Sequence, residues 1–166
     1  MNYDVLIIGA GPGGIYSAYE LTQRCPEKKV AVIEAGHALS RRHCPIDGEK
    51  VKTCIGCKTC SIMSGFGGAG AFSDGKYNIT NDFGGTLFEY IGKRQALELM
   101  RYVDEINMRY GGAGTKLYTT AGTQFKKACI QHDLHLLDAS VRHLGTDINY
   151  VVLENLYNYL KDKVDF

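Results

Sequence analysis

The chain of 166 residues has little net charge, no long hydrophobic run and no recognisable secretory leader. Its formal net charge of +1 gives no reason to expect a nucleic acid or an acidic membrane surface as a partner. No apolar run reaches the roughly 20 residues that a membrane-spanning helix needs. The first apolar run is short and is used by a predicted strand, unlike the core of a secretory signal. We therefore expect a cytoplasmic protein with neither a nucleic-acid nor a membrane partner.

Composition indicates a globular protein with two unusual enrichments. Hydrophobic residues make up 45% of the chain and charged residues 22%, which is enough apolar side chain to bury a core. Glycine occurs 20 times and is concentrated around residues 65–76. Three of the six cysteines form the run Cys54-x-x-Cys57-x-x-Cys60. In a chain without secretory features, such a run favours a metal or redox site over a disulfide framework.

The first 34 residues have the pattern of a dinucleotide-binding βαβ unit. A β-branched apolar run over residues 3–8 leads into a G-x-G-x-x-G motif. The motif glycines are Gly9, Gly11 and Gly14. A helical pattern over 13–23 and a second apolar run over 30–33 follow. Glu34 comes about 20 residues after the last motif glycine, where a ribose-binding acid is expected.

Each position of this pattern has a physical reason. Gly9 permits a tight turn, Gly11 lets the backbone approach a pyrophosphate, and Gly14 lets the helix pack on the strand. The helix N-terminus presents unpaired N–H groups and a positive dipole end to phosphates. Glu34 would accept hydrogen bonds from both ribose hydroxyls. A glycine-rich turn without a ligand is the alternative, but it leaves Glu34 unexplained.

The rest of the chain predicts an α/β fold that is Rossmann-like and incomplete. We divide it into a βαβ unit (1–34), a Cys/Gly-rich cofactor loop (35–92) and a truncated α/β portion (93–166). The predicted helices after the loop are 93–110, 122–131 and 147–162, and the predicted strands are 116–118 and 134–137. Residues 163–166 resemble the opening of a further strand. We therefore expect this chain to be the N-terminal part of a larger protein.

The cysteine run has the C-x2-C-x2-C spacing of bacterial ferredoxins, in which thiolates hold an iron–sulfur cluster. The fourth cysteine of the ferredoxin pattern is missing, and Cys44 is the candidate to replace it. The first hypothesis is thus a [4Fe–4S] cluster on four cysteines: Cys44, Cys54, Cys57 and Cys60. A structural zinc ion on the same ligands and a redox dithiol of Cys57 with Cys60 remain open as alternatives.

Two further segments carry a family resemblance. Gly65-Phe66-Gly67-Gly68-Ala69-Gly70-Ala71-Phe72-Ser73-Asp74-Gly75-Lys76 resembles the signature of the poorly characterised FAD-dependent dehydrogenases, a branch of the glutathione-reductase-like flavoproteins. Arg142-His143-Leu144-Gly145-Thr146-Asp147 is similar to a second motif of that group. The resemblance implies a FAD-dependent oxidoreductase with the substrate domain outside this chain. It also implies NAD(P)H or another electron carrier as a partner.

By the same resemblance, the cofactor FAD replaces NAD at the opening motif. Arg42 is placed to reach a ribose or phosphate, with a solvated basic pair of Arg41 and Arg42 as the alternative. The glycine-rich segment would approach the pyrophosphate or the flavin, with a flexible loop as the alternative. The implied cofactor-binding residues are Gly9, Gly11, Gly14, Glu34, Arg42, Gly67, Gly68 and Gly70. His143 and Asp147 fit structural roles as well as acid–base roles, so no catalytic residue is assigned, and the sequence does not define a substrate or an oligomeric state.

Overall fold

The computed structural model describes residues 2–166 and shows an α/β chain. It has two compact units. Unit 1 contains the residues up to Ser73 together with Thr146–Phe166, and unit 2 is Asp74–Gly145. Within the described part of the chain, no helix combines the length and the apolar character needed to cross a bilayer.

Unit 1 begins with the predicted βαβ unit, which is confirmed. Strand β1 (Val5–Ile8) pairs in parallel with β2 (Val30–Ile33), and helix α1 (Pro12–Arg24) connects them. Proline suits the first turn of α1 because the N–H that it lacks would have no partner inside the helix. A parallel connection of this kind needs a crossover, and α1 supplies it.

The end of the chain adds to the same sheet. Asp165 forms a parallel bridge with Ala31, and its carbonyl accepts a hydrogen bond from the Val32 N–H at 2.8 Å. The prediction of another strand opening near residues 163–166 is therefore supported. Helix α5 (Gly145–Leu160) precedes this segment and contributes its apolar side chains to the core, which are Val152, Leu153, Leu156 and Leu160.

Unit 2 contains a three-stranded antiparallel sheet in the order β3-β5-β4. The strands are β3 (Lys76–Ile79), β4 (Leu117–Thr119) and β5 (Ser140–His143). In this sheet Tyr77 of β3 and Leu117 of β4 both lie opposite Arg142 of β5. The helices of the unit are α2 (Leu87–Ile91), α3 (Lys93–Asn107) and α4 (Phe125–Gln131).

Several predictions for this part of the chain are confirmed and one is wrong. Helix 93–110 is present as α3, which passes into a π turn (Met108–Gly112). Strand 116–118 and helix 122–131 correspond to β4 and α4. The predicted strand at 134–137 is wrong, because this segment has no regular structure and the strand lies at β5. The long loop predicted at 35–92 also contains β3 and α2.

A buried ion pair connects β5 to α3 inside unit 2. The Arg142 guanidinium donates from Nε and Nη2 to the two carboxylate oxygens of Asp104, at 2.9 and 2.7 Å. The two side chains are only 12% and 11% exposed. Arg142 also donates to the Thr115 carbonyl, so a single side chain connects a strand, a helix and the segment before β4.

The two ends of unit 2 are joined by backbone hydrogen bonds. The Leu144 N–H donates to the Gly75 carbonyl at 2.9 Å, and the Gly145 N–H donates to the Asp74 carbonyl at 3.1 Å. Gly75 and Gly145 both have positive φ, at +63° and +77°, a conformation that glycine adopts without steric strain. The chain therefore enters and leaves unit 2 at neighbouring points.

Candidate functional site

The G-x-G-x-x-G turn between β1 and α1 is a tightly constrained loop with one open side. Gly9 has a φ of +96°, and its N–H donates to the Ile33 carbonyl at 2.7 Å. A Cβ on Gly14 would lie 1.9 Å from the Gly9 carbonyl oxygen, so only glycine fits there. A Cβ on Gly11, at the start of α1, would meet nothing within 4 Å. The space beside Gly11 is therefore open to a ligand group.

The carboxylate of Glu34 organises the neighbouring backbone. Its Oε2 accepts a hydrogen bond from the Ala10 N–H at 2.7 Å, and its Oε1 accepts from the N–H groups of Gly36 and Gly65, each at 2.9 Å. Burial alone would raise the pKa of Glu34, but the three N–H donors and the charge of Arg42 outweigh it. The pKa of Glu34 therefore lies below its ordinary value.

These hydrogen bonds reduce the number of acceptor positions that Glu34 has left for a ribose. A carboxylate has about four lone-pair positions, and the backbone uses three of them. The remaining position is on Oε2, which has a single donor. Glu34 thus has room for one further hydroxyl hydrogen bond, whereas the sequence pattern alone suggested two.

A cavity of about 310 Å³ opens beside Glu34 in unit 1. Its floor contains three aromatic rings in edge-to-face or tilted contact: Phe66 and Tyr157 have ring centroids 5.1 Å apart, and Phe166 lies 5.6 Å from each. The lining residues are Ala10, Val32, Glu34, Gly36, His37, Ala38, Phe66, Tyr157 and Phe166. A cavity lined by three aromatic rings and one carboxylate suits a flat heterocycle attached to a sugar.

Arg42 is buried at 2% exposure, so a solvated position is excluded for this side chain. Its guanidinium donates to four backbone carbonyls at 2.7–2.8 Å, which are those of Ser61, Ile62, Phe66 and Gly68. It also lies over the Phe72 ring, 4.9 Å from the centroid. Arg41, in contrast, is exposed. In this structure Arg42 therefore holds protein backbone, and a contact with a cofactor remains a prediction.

The glycine-rich segment lies directly against the G-x-G-x-x-G turn. The Gly67 N–H donates to the Ala10 carbonyl at 2.8 Å, and a Cβ on Gly68 would come within 3.2 Å of the Gly11 Cα. The Gly68 N–H donates to the Gly65 carbonyl. The N–H groups of Gly67 and Gly68, which were predicted to approach the cofactor, thus donate to carbonyls of the protein. What this segment provides for a ligand is glycine backbone without side chains close to the G-x-G-x-x-G turn.

Asn149 contacts the glycine-rich segment, and the sequence motifs did not predict this contact. Its side chain is 1% exposed and donates from Nδ2 to the Gly70 carbonyl at 2.9 Å. It lies in α5, two residues after the Arg142–Asp147 motif. The available signal was a polar residue on the otherwise apolar face of a predicted helix. Asn149 thus fixes the middle of the glycine-rich segment on α5 of unit 1.

The four cysteines of the predicted metal site surround one small cavity of about 100 Å³. Cys44, Cys54, Cys57 and Cys60 all line it, and all four are exposed. Among residues 2–166, however, no group of three or more His, Cys, Asp or Glu side chains is positioned to hold a metal ion. The donor set suits a soft metal in kind and number. Coordination would require the loop to draw the sulfurs together.

His143 and Asp147, and the charged pair at the end of the glycine-rich segment, are at exposed positions. Lys76 forms an ion pair with Asp74 at 2.6 Å, and this contact lowers the pKa of the Asp74 carboxyl. His143 is exposed at the end of β5. Asp147 is exposed in the first turn of α5, where a negative charge favours the helix dipole. The position of Asp147 in the first turn of α5 supports its structural role, and the acid–base roles stay predictions.

Comparison with known proteins agrees with the geometry of the N-terminal unit. A stretch of this chain, 25% of its length, is 50% identical over 42 residues to an uncharacterized protein of Acanthamoeba polyphaga mimivirus, and covers 8% of that protein. No solved structure matches the chain. Residues 7–54 match the NAD(P)-binding Rossmann-like domain family. The chain therefore contains a Rossmann-like nucleotide-binding unit of the type found in FAD- and NAD(P)-dependent oxidoreductases.

Proposed function

We propose that unit 1 binds FAD and forms the cofactor-binding part of a FAD-dependent oxidoreductase. The observation that carries the proposal is that Ala10 of the glycine turn and Glu34 both line the 310 Å³ cavity, next to the open Cβ position of Gly11. A dinucleotide needs a phosphate site, a sugar acceptor and a pocket for its base. These three elements are adjacent in unit 1.

The chain's own groups have distinct parts in this proposal. The 13-residue helix α1 directs its N-terminal N–H groups and positive dipole end to the pyrophosphate. Glu34 accepts one ribose hydroxyl, and the aromatic floor of the cavity holds the adenine ring. Gly70, with its Cβ position open to 4 Å, and Gly68 allow the rest of the cofactor to approach the backbone. When bound, FAD supplies hydride and single-electron transfer.

The preference for FAD over NAD comes from the glycine-rich segment. This segment resembles flavoprotein sequences. It also contacts the G-x-G-x-x-G turn, called the phosphate turn below, through the Gly67 to Ala10 hydrogen bond. An electron donor such as NAD(P)H, or another carrier, would exchange electrons with the flavin.

Flavin binding by the purified chain tests this proposal. We expect quenching of flavin fluorescence on titration with FAD, and about a tenfold weaker dissociation constant for Glu34→Gln, which loses a charge-assisted hydrogen bond. Glu27→Gln, an exposed carboxylate of the same unit, is the matched control and should bind as the unmodified chain does. Binding of NAD with no binding of FAD would reject the flavin assignment while leaving the nucleotide-binding unit in place.

We further propose that the four cysteines hold a [4Fe–4S] cluster that exchanges electrons with the flavin. The support is that all four line one cavity and that their spacing is typical of ferredoxins. The visible spectrum of anaerobically purified protein distinguishes the alternatives. A broad iron–sulfur absorbance lost in Cys57→Ser supports the cluster. A yellow, iron-free protein favours the dithiol, and a colourless protein containing zinc excludes both redox roles.

A further inference from the structure

Arg42 connects the cysteine loop to the nucleotide site. Along the chain it lies two residues before Cys44, the first cysteine of the loop. Through its guanidinium it binds the carbonyls of Ser61 and Ile62, the two residues directly after Cys60, at 2.8 and 2.7 Å. A single buried side chain thus holds together the two ends of the segment that carries all four cysteines.

The same guanidinium also fixes the segment that covers the phosphate turn. Its Nη1 donates to the Phe66 carbonyl at 2.7 Å and to the Gly68 carbonyl at 2.8 Å. Between these two residues, the Gly67 N–H donates to the Ala10 carbonyl of the phosphate turn. Only a planar guanidinium has enough donors, fixed in a fork, to satisfy acceptors on both segments at once.

The fit around Arg42 leaves little freedom for independent movement. A Cβ on Gly65 would lie 2.7 Å from the Arg42 Cδ, and the Gly65 N–H is bonded to Glu34. The Phe72 ring covers the guanidinium. A displacement of the residues after Cys60 would therefore displace Arg42, Gly65 and the backbone that contacts the phosphate turn.

We propose that Arg42 couples the two sites, so that an ion bound by Cys44, Cys54, Cys57 and Cys60 tightens dinucleotide binding by unit 1. The proposal rests on the nucleotide-binding function proposed above and adds its regulation. Gathering Cys44 and Cys60 on one ion closes the loop at both ends that Arg42 holds. The loop then holds Arg42 and the glycine-rich segment in the binding geometry before the nucleotide arrives. Because coupling is reciprocal, FAD must strengthen ion binding by the same factor.

The test uses Zn²⁺ as the probe ion and FAD as the probe nucleotide, with the 166-residue chain. We expect one equivalent of Zn²⁺ to lower the FAD dissociation constant by at least about 5-fold, the lower end of usual coupling between sites. In Arg42→Gln the dissociation constant should no longer depend on Zn²⁺, although Zn²⁺ still binds. Arg41→Gln, the exposed neighbour, should keep the dependence. Arg42→Lys should behave like Arg42→Gln, because one ammonium cannot reach both segments.

A second measurement keeps this test separate from the proposed function and from loss of folding in a variant. Amide hydrogen exchange of the unmodified chain should slow at residues 65–70 when Zn²⁺ is added, with no nucleotide present. If FAD does not bind but this protection appears, the ordering of residues 65–70 by the ion through Arg42 is supported and the proposed FAD-binding function fails. If Zn²⁺ binds and changes neither the FAD affinity nor the exchange at 65–70, the coupling is overturned. Failure of Zn²⁺ to bind overturns it as well.

Discussion

Each compact unit contains an arginine whose side chain is largely buried, and the two guanidinium groups have different hydrogen-bond partners. In unit 2, Arg142 faces the carboxylate of Asp104, so that its charge is neutralised by one side chain. In unit 1, Arg42 donates its hydrogen bonds to four backbone carbonyls. Arg142 joins regular elements, whereas Arg42 organises segments that have almost no regular structure.

The difference shows two ways in which a buried charge can order a chain. An ion pair between a strand and a helix stabilises elements whose hydrogen bonds are already formed. A guanidinium bound to carbonyls replaces the hydrogen bonds that a helix or strand would have supplied. The second arrangement keeps the glycine-rich backbone, which forms a short 3-10 helix (Gly68–Phe72), close to the G-x-G-x-x-G turn.

Asp104→Asn should give the largest loss of stability. It leaves the largely buried Arg142 charge without a counter-charge, and breaking a buried pair costs about 3–5 kcal/mol. Urea denaturation measures the loss, and amide exchange should locate it in unit 2. Lys126→Ala, which removes an ion pair with Asp138 whose side chains are 46% and 55% exposed, should change stability by about 1 kcal/mol or less. Equal losses in both variants would contradict this account of the Arg142 pair.

Arg42→Gln should give the next largest loss, confined to unit 1. The glutamine amide can satisfy only some of the four carbonyls, and an unsatisfied buried acceptor costs about 1–3 kcal/mol. We expect a loss of about 3 kcal/mol and faster exchange at residues 61–68. Arg41→Gln should stay within about 0.5 kcal/mol of the unmodified chain, as exposed substitutions do. Faster amide hydrogen exchange in unit 2 instead would contradict the conclusion that Arg42 stabilises unit 1 and Arg142 stabilises unit 2.

Gly14→Ala tests the local packing of unit 1 without touching either arginine. The added Cβ would lie 1.9 Å from the Gly9 carbonyl oxygen, and such overpacking costs about 1–3 kcal/mol. FAD affinity should fall as well, because the phosphate turn must shift. Gly13→Ala is the matched control: its Cβ meets nothing within 4 Å, and it should be neutral or up to about 1 kcal/mol stabilising. A loss in Gly13→Ala as large as in Gly14→Ala would contradict the packing argument.

The smallest effect should be the pH dependence that Glu34 gives to unit 1. The pKa of Glu34 is lowered from its ordinary value of 4.5, so its carboxylate stabilises the folded state above that pH. The contribution is lost as the pH falls through the lower pKa of the folded state. Urea titrations of the unmodified chain and Glu34→Gln should therefore differ by a constant amount near neutral pH and converge below about pH 4.5. A stability difference between the two proteins that grows as the pH falls would contradict a lowered pKa of Glu34.

The parts of the fold that sequence analysis predicted are those whose signal is local. The strand, glycine turn, helix and strand of residues 5–33 depend on apolar spacing, on the positive φ of Gly9 and on Gly14, where a Cβ would clash. The same holds for α3 and α5, which have continuous apolar stripes. The sequence analysis placed this strand at 134–137, because apolar and polar residues alternate there. The observed strand β5 contains Arg142, whose burial depends on Asp104, 38 positions away in the sequence.

The sequence predicted which residues lie at the candidate site but not the hydrogen bonds that connect them to the backbone. Gly9, Gly14 and Glu34 lie where the motif places them. That Glu34 and Arg42 would bind backbone was not visible in the sequence, because their partners are N–H and carbonyl groups, which every residue has. The same reason hid the role of Asn149. Polar contacts to the main chain leave no trace in residue identity at the partner position.

The hydrogen bonds between Gly75 and Leu144 and between Asp74 and Gly145 make unit 2 an insertion whose two ends meet. Cutting out residues 74–145 and joining Ser73 to Thr146 by a two- or three-glycine bridge would leave a shortened chain in which no long gap has to be spanned. Since closing a short loop costs little entropy, this shortened chain is the one with which to test nucleotide binding without the inserted sheet.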